Sequence, residues 1–193
     1  MRAVVMGSGS WGTATAKVLV DAGVDTTMWA RRPELAEAVN ASHTNPDYLQ
    51  GIVLPETLTA TSSVSEALAG AEIVVCAVPS QSLRANLAHW REYLQPTASL
   101  VSLAKGVETS TLLRMTEVIE QELPGHPAGV LAGPNLAKEV LAGYAAAAVI
   151  AMADAHVATS LQSIFTSRRF RVYTNPDVVG CELGGALKNV IAI

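Results

Sequence analysis

Short, unbroken apolar runs alternate along this chain with longer stretches whose apolar residues recur every three or four positions. Residues 2–6 (RAVVM) are a run of the first kind and predict a strand that ends in glycines. In residues 10–22, Ala14, Val18 and Ala22 share a helical face, and Gly23 supplies a stop. Residues 26–30 predict a second strand. Pro33 suits the first turn of a helix to about residue 41, because the N–H it lacks has no partner there.

The polar segment 43–56, with two prolines and Gly51, predicts a loop. A short strand at 57–62 and a helix at 64–68 follow, then an apolar strand at 72–78 halted by Pro79. Ser80 is placed to cap a helix from 81 to about 94. Beyond it the pattern predicts a strand at 99–103, a helix at 109–123, a strand at 128–132 and a helix at 134–141. Two further strands, 145–152 and 170–174, flank a helix at 155–165, and a last helix spans 176–193.

Strands alternating with helices imply right-handed crossovers and a mainly parallel sheet with helices on both faces. The last helix is still apolar at 190–193 and carries no stop signal. The expected organisation is therefore one domain over 1–175, with 176–193 leading into a further domain of a longer protein.

Composition sharpens this picture. Half the residues are hydrophobic, 16% are charged and 5% are aromatic, so the core must be aliphatic and the chain is not a disordered one. Mean hydropathy is +0.31, yet the apolar stretch 140–153 has only 14 residues, against about 20 for a membrane span. With no basic-then-apolar leader, the expectation is a soluble, cytoplasmic protein without a membrane span. A net charge of −4 and no basic run longer than two residues speak against a nucleic-acid surface. Cys76 and Cys181 lie in apolar segments and read as small core fillers in a reducing compartment. The four histidines lack ligand spacing, so no metal site is expected.

Between the first strand and first helix stands Gly7-Ser8-Gly9-Ser10-Trp11-Gly12, an instance of GxGxxG. In that setting Gly7 permits a tight turn, Gly9 lets a pyrophosphate reach the backbone, and Gly12 lets helix and strand pack closely. The helix start offers free N–H groups to the anion. The fold expected is thus α/β, a Rossmann-type doubly wound sheet that binds a dinucleotide. An NAD-selective site usually places a carboxylate about 20 residues past such a loop. Here that position is Arg32, preceded by Arg31, and no carboxylate lies between Asp25 and Glu34. Two guanidiniums can clamp a 2′-phosphate by bidentate bonds, which favours NADP(H) with NAD(H) still admitted. The competing reading is a pair of solvated surface arginines.

Other residues admit two readings each. Trp11 either stacks on a cofactor or covers the sheet edge, while Met28 and Trp29 read as core. Lys105 ends an apolar strand, where ligands bind in open α/β sheets, or else simply leaves the sheet for water. Lys188 lies on an apolar helix beside Gly184 and Gly185, which cost the helix roughly 1 kcal/mol each relative to alanine. Something is expected to approach closely there, leaving Lys188 desolvated and a usable proton acceptor. The alternative is a lysine that snorkels to solvent.

Six motifs then occur in order: GSGSWGTA at 7–14, WARRPE at 29–34, VPSQ at 78–81, SLAKGVE at 102–108, AGPNLAKEV at 132–140 and ELGGALKNVIAI at 182–193. Together they resemble the bacterial NAD(P)-dependent glycerol-3-phosphate dehydrogenase family, whose members follow their dinucleotide domain with an all-helical substrate domain. One departure is Asn135, where the family usually carries serine; asparagine still offers hydrogen bonds and can cap a helix.

The resemblance implies hydride transfer between the nicotinamide C4 and carbon 2 of glycerol 3-phosphate or dihydroxyacetone phosphate, feeding glycerophospholipid synthesis. It makes Lys188 the general base and Lys105 the group that polarises the developing oxygen charge, touching substrate and cofactor. Gly133 and Asn135 would meet the substrate. Ala137 would line the cofactor side, and Gly7, Gly9, Ser10, Trp11, Gly12, Arg31 and Arg32 would hold the dinucleotide. Glu139 either bonds near the cofactor or stabilises a helix start. A homodimer and poor turnover by a chain without the helical domain are also implied. Two rivals stand beside this: a dinucleotide-binding module without chemistry, and another two-domain NADP-dependent hydroxy-acid reductase. The latter is disfavoured because no histidine lies near either lysine motif.

Overall fold

The structure, a computed structural model, describes residues 1–191. The first half of the chain runs β1 (Arg2–Met6), α1 (Ser10–Asp21), β2 (Asp25–Trp29), α2 (Pro33–Ser42), β3 (Thr44–Asn45), β4 (Leu49–Val53), β5 (Thr59–Thr61), α3 (Val64–Leu68), β6 (Ile73–Cys76) and α4 (Ser80–Trp90). It continues through β7 (Ser99–Ser102), α5 (Met115–Glu122), β8 (Ala128–Ala132), α6 (Ala137–Leu141), β9 (Ala146–Met152), α7 (Ala155–Phe165), β10 (Phe170–Asn175) and α8 (Val178–Ile191).

Eight of these strands form one sheet in the order β10-β9-β8-β7-β6-β1-β2-β5. Its pairings are parallel except that of β8 with β9. From β1 the chain winds outward through β2 to β5, then returns to the other side of β1 and winds out through β6, β7 and β8. The topological switch point therefore lies between β1 and β6, where open α/β sheets hold their ligands. This is the doubly wound Rossmann-type fold that the alternation of elements predicts.

The central strands are apolar without alternation because both their faces are covered. On one face Ala3 and Val5 of β1 join Leu19, Val39, Leu161 and Phe165 from the helices above. On the other, Val4 and Met6 join Leu68, Leu87, Trp90 and Ile119. Trp29 closes this second cluster, its ring edge-to-face with Trp90 at 5.9 Å and 73°, and its Nε1 donates to the Ser62 carbonyl at 3.1 Å. Met28 and Trp29 are core residues, as their positions predict.

The structure departs from the sequence pattern in several places. The expected loop at 43–56 contains an antiparallel pair, β3 with β4. It is held down by Asn45, fully buried, whose amide donates to the Ser8 carbonyl and to the Thr13 hydroxyl, each at 2.8 Å. Ser80 is not a cap: Pro79 holds that position, and the Ser80 hydroxyl packs against Gly106 instead.

The helix expected from 109 starts only at Met115. Ahead of it Glu108 accepts from the Leu112 N–H at 2.7 Å, and Leu112 takes a left-handed φ of 61°. The helix expected from 134 starts at Ala137. Cys76 is buried, and burial pushes its thiol up to about 12, whereas Cys181 sits half-buried on α8 rather than in the core. Ala192 and Ile193, the end of the predicted last helix, lie outside the described residues. Among the described residues no helix is long and apolar enough to cross a membrane.

Candidate functional site

The glycine loop sits at the switch point, and its three glycines differ in what surrounds them. Gly7 has φ 137°, and a Cβ there would stand 2.5 Å from the Ala77 carbonyl oxygen at the end of β6. A Cβ on Gly12 would overlap the Gly7 carbonyl oxygen. Both glycines are therefore fixed by the packing of β1, α1 and β6. Gly9 is different: nothing lies within 4 Å of where its Cβ would be. It also caps α1 without a side-chain hydrogen bond, and no acidic residue occupies that helix's first turn. Bare backbone beside open space and a helix start free of negative charge together make a fitting cradle for a pyrophosphate.

Beside the loop opens a cleft of about 730 Å³. Its wall brings the glycine loop together with Trp11, Trp29, Arg31 and Arg32, and with Tyr48 from the β3–β4 hairpin. The far wall comes from the chain after β6, by Ala77, Val78, Pro79 and Gln81, and from Leu103 at the end of β7. Trp11 is half-buried, and its Nε1 has no hydrogen-bond partner. The Ser10 hydroxyl donates to the Tyr48 carbonyl at 3.4 Å. Arg31 and Arg32 are both exposed at the end of β2, but Arg32 is ion-paired with Asp47. Sequence spacing hides that carboxylate, since Asp47 arrives from the hairpin rather than from β2.

Lys105 stands where an apolar strand, β7, delivers it. Its Nζ donates to the Gly133 carbonyl at 3.4 Å and lies 5.9 Å from the centre of the Trp11 ring. Burial, and then the charge of Lys188, hold its ammonium below the usual lysine range.

The segment carrying Lys105 is stapled to α4. Glu108, 6% exposed, takes two hydrogen bonds from the Arg84 guanidinium at 2.9 and 2.8 Å, and the Thr111 hydroxyl donates to it at 2.5 Å. These bonds hold its carboxyl down at about 2. Gln81 adds a second staple, donating to the Val107 carbonyl at 2.7 Å and accepting from the Thr109 N–H at 3.0 Å. Gln81 belongs to the VPSQ motif, which sequence reasoning singles out without assigning it a task.

Gly133, Pro134 and Asn135 form the turn after β8. The Asn135 amide nitrogen folds back to 2.6 Å from where a Gly133 Cβ would stand, and that nitrogen is buried without a partner. This unpartnered donor lies in the same turn as the Gly133 carbonyl that accepts from Lys105, and a buried donor left open in a turn of this kind is free to meet a ligand. Ala137, expected on the cofactor side, packs on the core with Trp11 and is not part of the cleft wall.

Lys188 departs most from expectation. It is exposed on α8, and nothing lies within 4 Å of a Cβ on Gly184 or Gly185, so the predicted close approach is not made among the described residues. Desolvation instead falls on Lys105, and Lys188 acts on it through charge. Glu182 anchors α8: it accepts from the Thr116 N–H at 3.0 Å and the Thr116 hydroxyl at 2.5 Å, and pairs with Arg114 at 2.7 Å.

Comparison with known proteins agrees with this geometry. The family model for the "NAD-dependent glycerol-3-phosphate dehydrogenase N-terminus" matches residues 2–158. The chain is 55% identical over 195 residues to a glycerol-3-phosphate dehydrogenase [NAD(P)+] of Thermobifida fusca, covering all of this chain and 58% of that protein. It is 56% identical over 191 residues to the Corynebacterium glutamicum protein of the same name, covering 98% and 58%. Among solved structures, the glycerol-3-phosphate dehydrogenase from Coxiella burnetii superposes with a TM-score of 0.92 at 30% identity, covering 99% of this chain and 58% of that one. The chain thus spans somewhat over half the length of the curated relatives it matches. With the glycine loop at the switch point and the matched motifs around it, the chain belongs to the NAD-dependent glycerol-3-phosphate dehydrogenase family, as its N-terminal part.

Proposed function

We propose that this chain is the cofactor-holding part of a glycerol-3-phosphate dehydrogenase that interconverts sn-glycerol 3-phosphate and dihydroxyacetone phosphate, using NADP(H) or NAD(H). The observation that carries the reading is the meeting of Lys105 with Trp11 of the glycine loop and Gly133 of the β8 turn. One cation thereby adjoins both the dinucleotide cradle and a second site with a free amide donor.

A bound nicotinamide supplies the hydride acceptor or donor. Gly7, Gly9, Ser10 and Gly12 at the start of α1 would hold the pyrophosphate, and Trp11, Arg31 and Arg32 in the cleft wall would hold the rest of the dinucleotide. Lys105 hydrogen-bonds the C2 oxygen of the substrate, stabilising negative charge as it develops. Lys188 accepts the C2-hydroxyl proton during oxidation and returns it during reduction. The amide of Asn135 and the backbone at Gly133 orient the substrate. A cytoplasmic location and assembly as a homodimer belong to the same reading and rest on the family resemblance.

The test follows NADPH oxidation driven by dihydroxyacetone phosphate, in a protein that continues this chain to the length of its relatives. Lys188→Ala is expected to lower kcat by about 10²-fold or more while NADPH affinity stays within about threefold. Undiminished kcat in that variant would remove Lys188 from the proposal.

A further inference from the structure

The two arginines at the end of β2 do not meet the cleft as equals. Both are exposed, but Arg32 is committed to Asp47. Asp47 is not a surface carboxylate that happens to drift near. Two positions before it, Asn45 is fully buried and bonded to Ser8 and Thr13 of the glycine loop and α1. The carbonyl of Asn45's side chain also accepts from the Tyr48 N–H at 3.3 Å, closing the turn over Asp47. Tyr48 in turn accepts from Ser10 of the glycine loop. The hairpin therefore fixes a carboxylate on Arg32, at the end of β2 where the strand itself offers none.

Building on the dinucleotide reading of this cleft, we infer that Asp47 sets the choice between NADP(H) and NAD(H). Paired with Asp47, Arg32 has part of its guanidinium fork occupied, and its charge is offset before any 2′-phosphate arrives. A dianionic 2′-phosphate must share Arg32 with a carboxylate that repels it. A ribose 2′-hydroxyl carries no such charge and can donate to the same carboxylate, the role an acidic residue at the end of β2 plays in NAD-selective folds. Asp47 holds the site to dual use, against the pull of two arginines toward the phosphate.

The pair is partly exposed, with side chains 53% and 38% accessible, so its influence is modest. An exposed pair worth up to ~1 kcal/mol corresponds to about fivefold in affinity.

Titration of the chain with NADPH and with NADH, in the unaltered form and as Asp47→Asn, reads this directly. Asn keeps the size of the side chain and removes its charge. NADPH affinity is expected to rise about fivefold, with NADH affinity unchanged or lower. Arg32→Ala should cost more NADPH affinity in the Asp47→Asn background than in the unaltered chain, because the arginine is then free to serve the phosphate. Asp47→Glu should restore the original ratio. Binding of both cofactors with a ratio that Asp47→Asn leaves unmoved would overturn the role of Asp47 and spare the dinucleotide reading. Failure of the unaltered chain to bind either cofactor would overturn both.

Discussion

Gly9→Val and Gly12→Val are expected to fail in different ways. At Gly12 a side chain meets the Gly7 carbonyl oxygen and, at 3.0 Å, the Ala77 Cβ. Both neighbours belong to the junction of β1, α1 and β6, so little can give way. Overpacking of this kind typically costs about 1–3 kcal/mol, a sizeable share of the 5–15 kcal/mol that holds a domain together. Gly12→Val should therefore melt well below the unaltered chain and bind dinucleotide weakly or not at all. At Gly9 a side chain meets open space. Gly9→Val should lose only about 2–4 °C in melting temperature, the share of a poorer helix cap, yet lose at least tenfold in affinity for NADPH, because its methyls occupy the place of the pyrophosphate. Thermal melts paired with cofactor titration separate the two. Normal NADPH binding by a folded Gly9→Val would show that the cradle is not where the phosphate sits.

Glu182→Ala is expected to have the largest effect on stability outside the glycine loop. Glu182 is 8% exposed, and its two oxygens serve the Thr116 N–H, the Thr116 hydroxyl and the Arg114 guanidinium. Thr116 lies in the first turn of α5, where backbone N–H groups have no partner within the helix. A carboxylate from α8 therefore caps α5 across 66 residues of sequence. Its removal leaves the Thr116 N–H without a partner and takes from Arg114 the more buried of its two carboxylates, Glu117 remaining at 3.0 Å, at a cost of about 3 kcal/mol. For a chain of this size that is a fall in Tm of roughly 6–12 °C. Urea denaturation would measure it, and a loss below about 1 kcal/mol would mean that α8 is held by its apolar contacts alone. Since α8 also carries Lys188, the same carboxylate fixes where that ammonium stands relative to Lys105.

Local chemistry made the sheet and the cradle legible in the sequence. The apolar runs of β1, β6 and β7 have no polar alternation because both sheet faces are covered, and a glycine triplet between strand and helix has few other uses. Lys105 was legible for the same reason, since a charged residue at the end of a buried strand must emerge at the ligand edge. Partners distant in sequence were not legible. The hairpin at 44–53 lacks hydrophobic periodicity and is held by one buried asparagine, so it reads as loop. Asp47, the cap supplied by Glu182 and the staples from Glu108 and Gln81 are all tertiary pairings between polar side chains, invisible to spacing rules.

The delayed start of α5 has the same origin, because Glu108 ties its segment to Arg84 before a helix can form. The apolar sequence around Lys188 suggested a buried lysine. On the folded chain that residue is exposed, and the neighbouring Lys105 bears the desolvation. An apolar helix face shows that a surface seeks cover, not that cover is present.

The proposed function requires a dinucleotide in the cleft between β1 and β6, held at its ribose by Arg31 and Arg32. The most direct measurement is a titration of the folded chain with NADPH and NADH, followed by the fluorescence of Trp11 and Trp29 in the cleft wall, alongside an Arg31→Ala/Arg32→Ala variant. Saturable binding of both cofactors is expected, with NADPH affinity falling about tenfold or more in the variant and NADH far less affected. No binding of either cofactor to the folded, unaltered chain would contradict the proposed function.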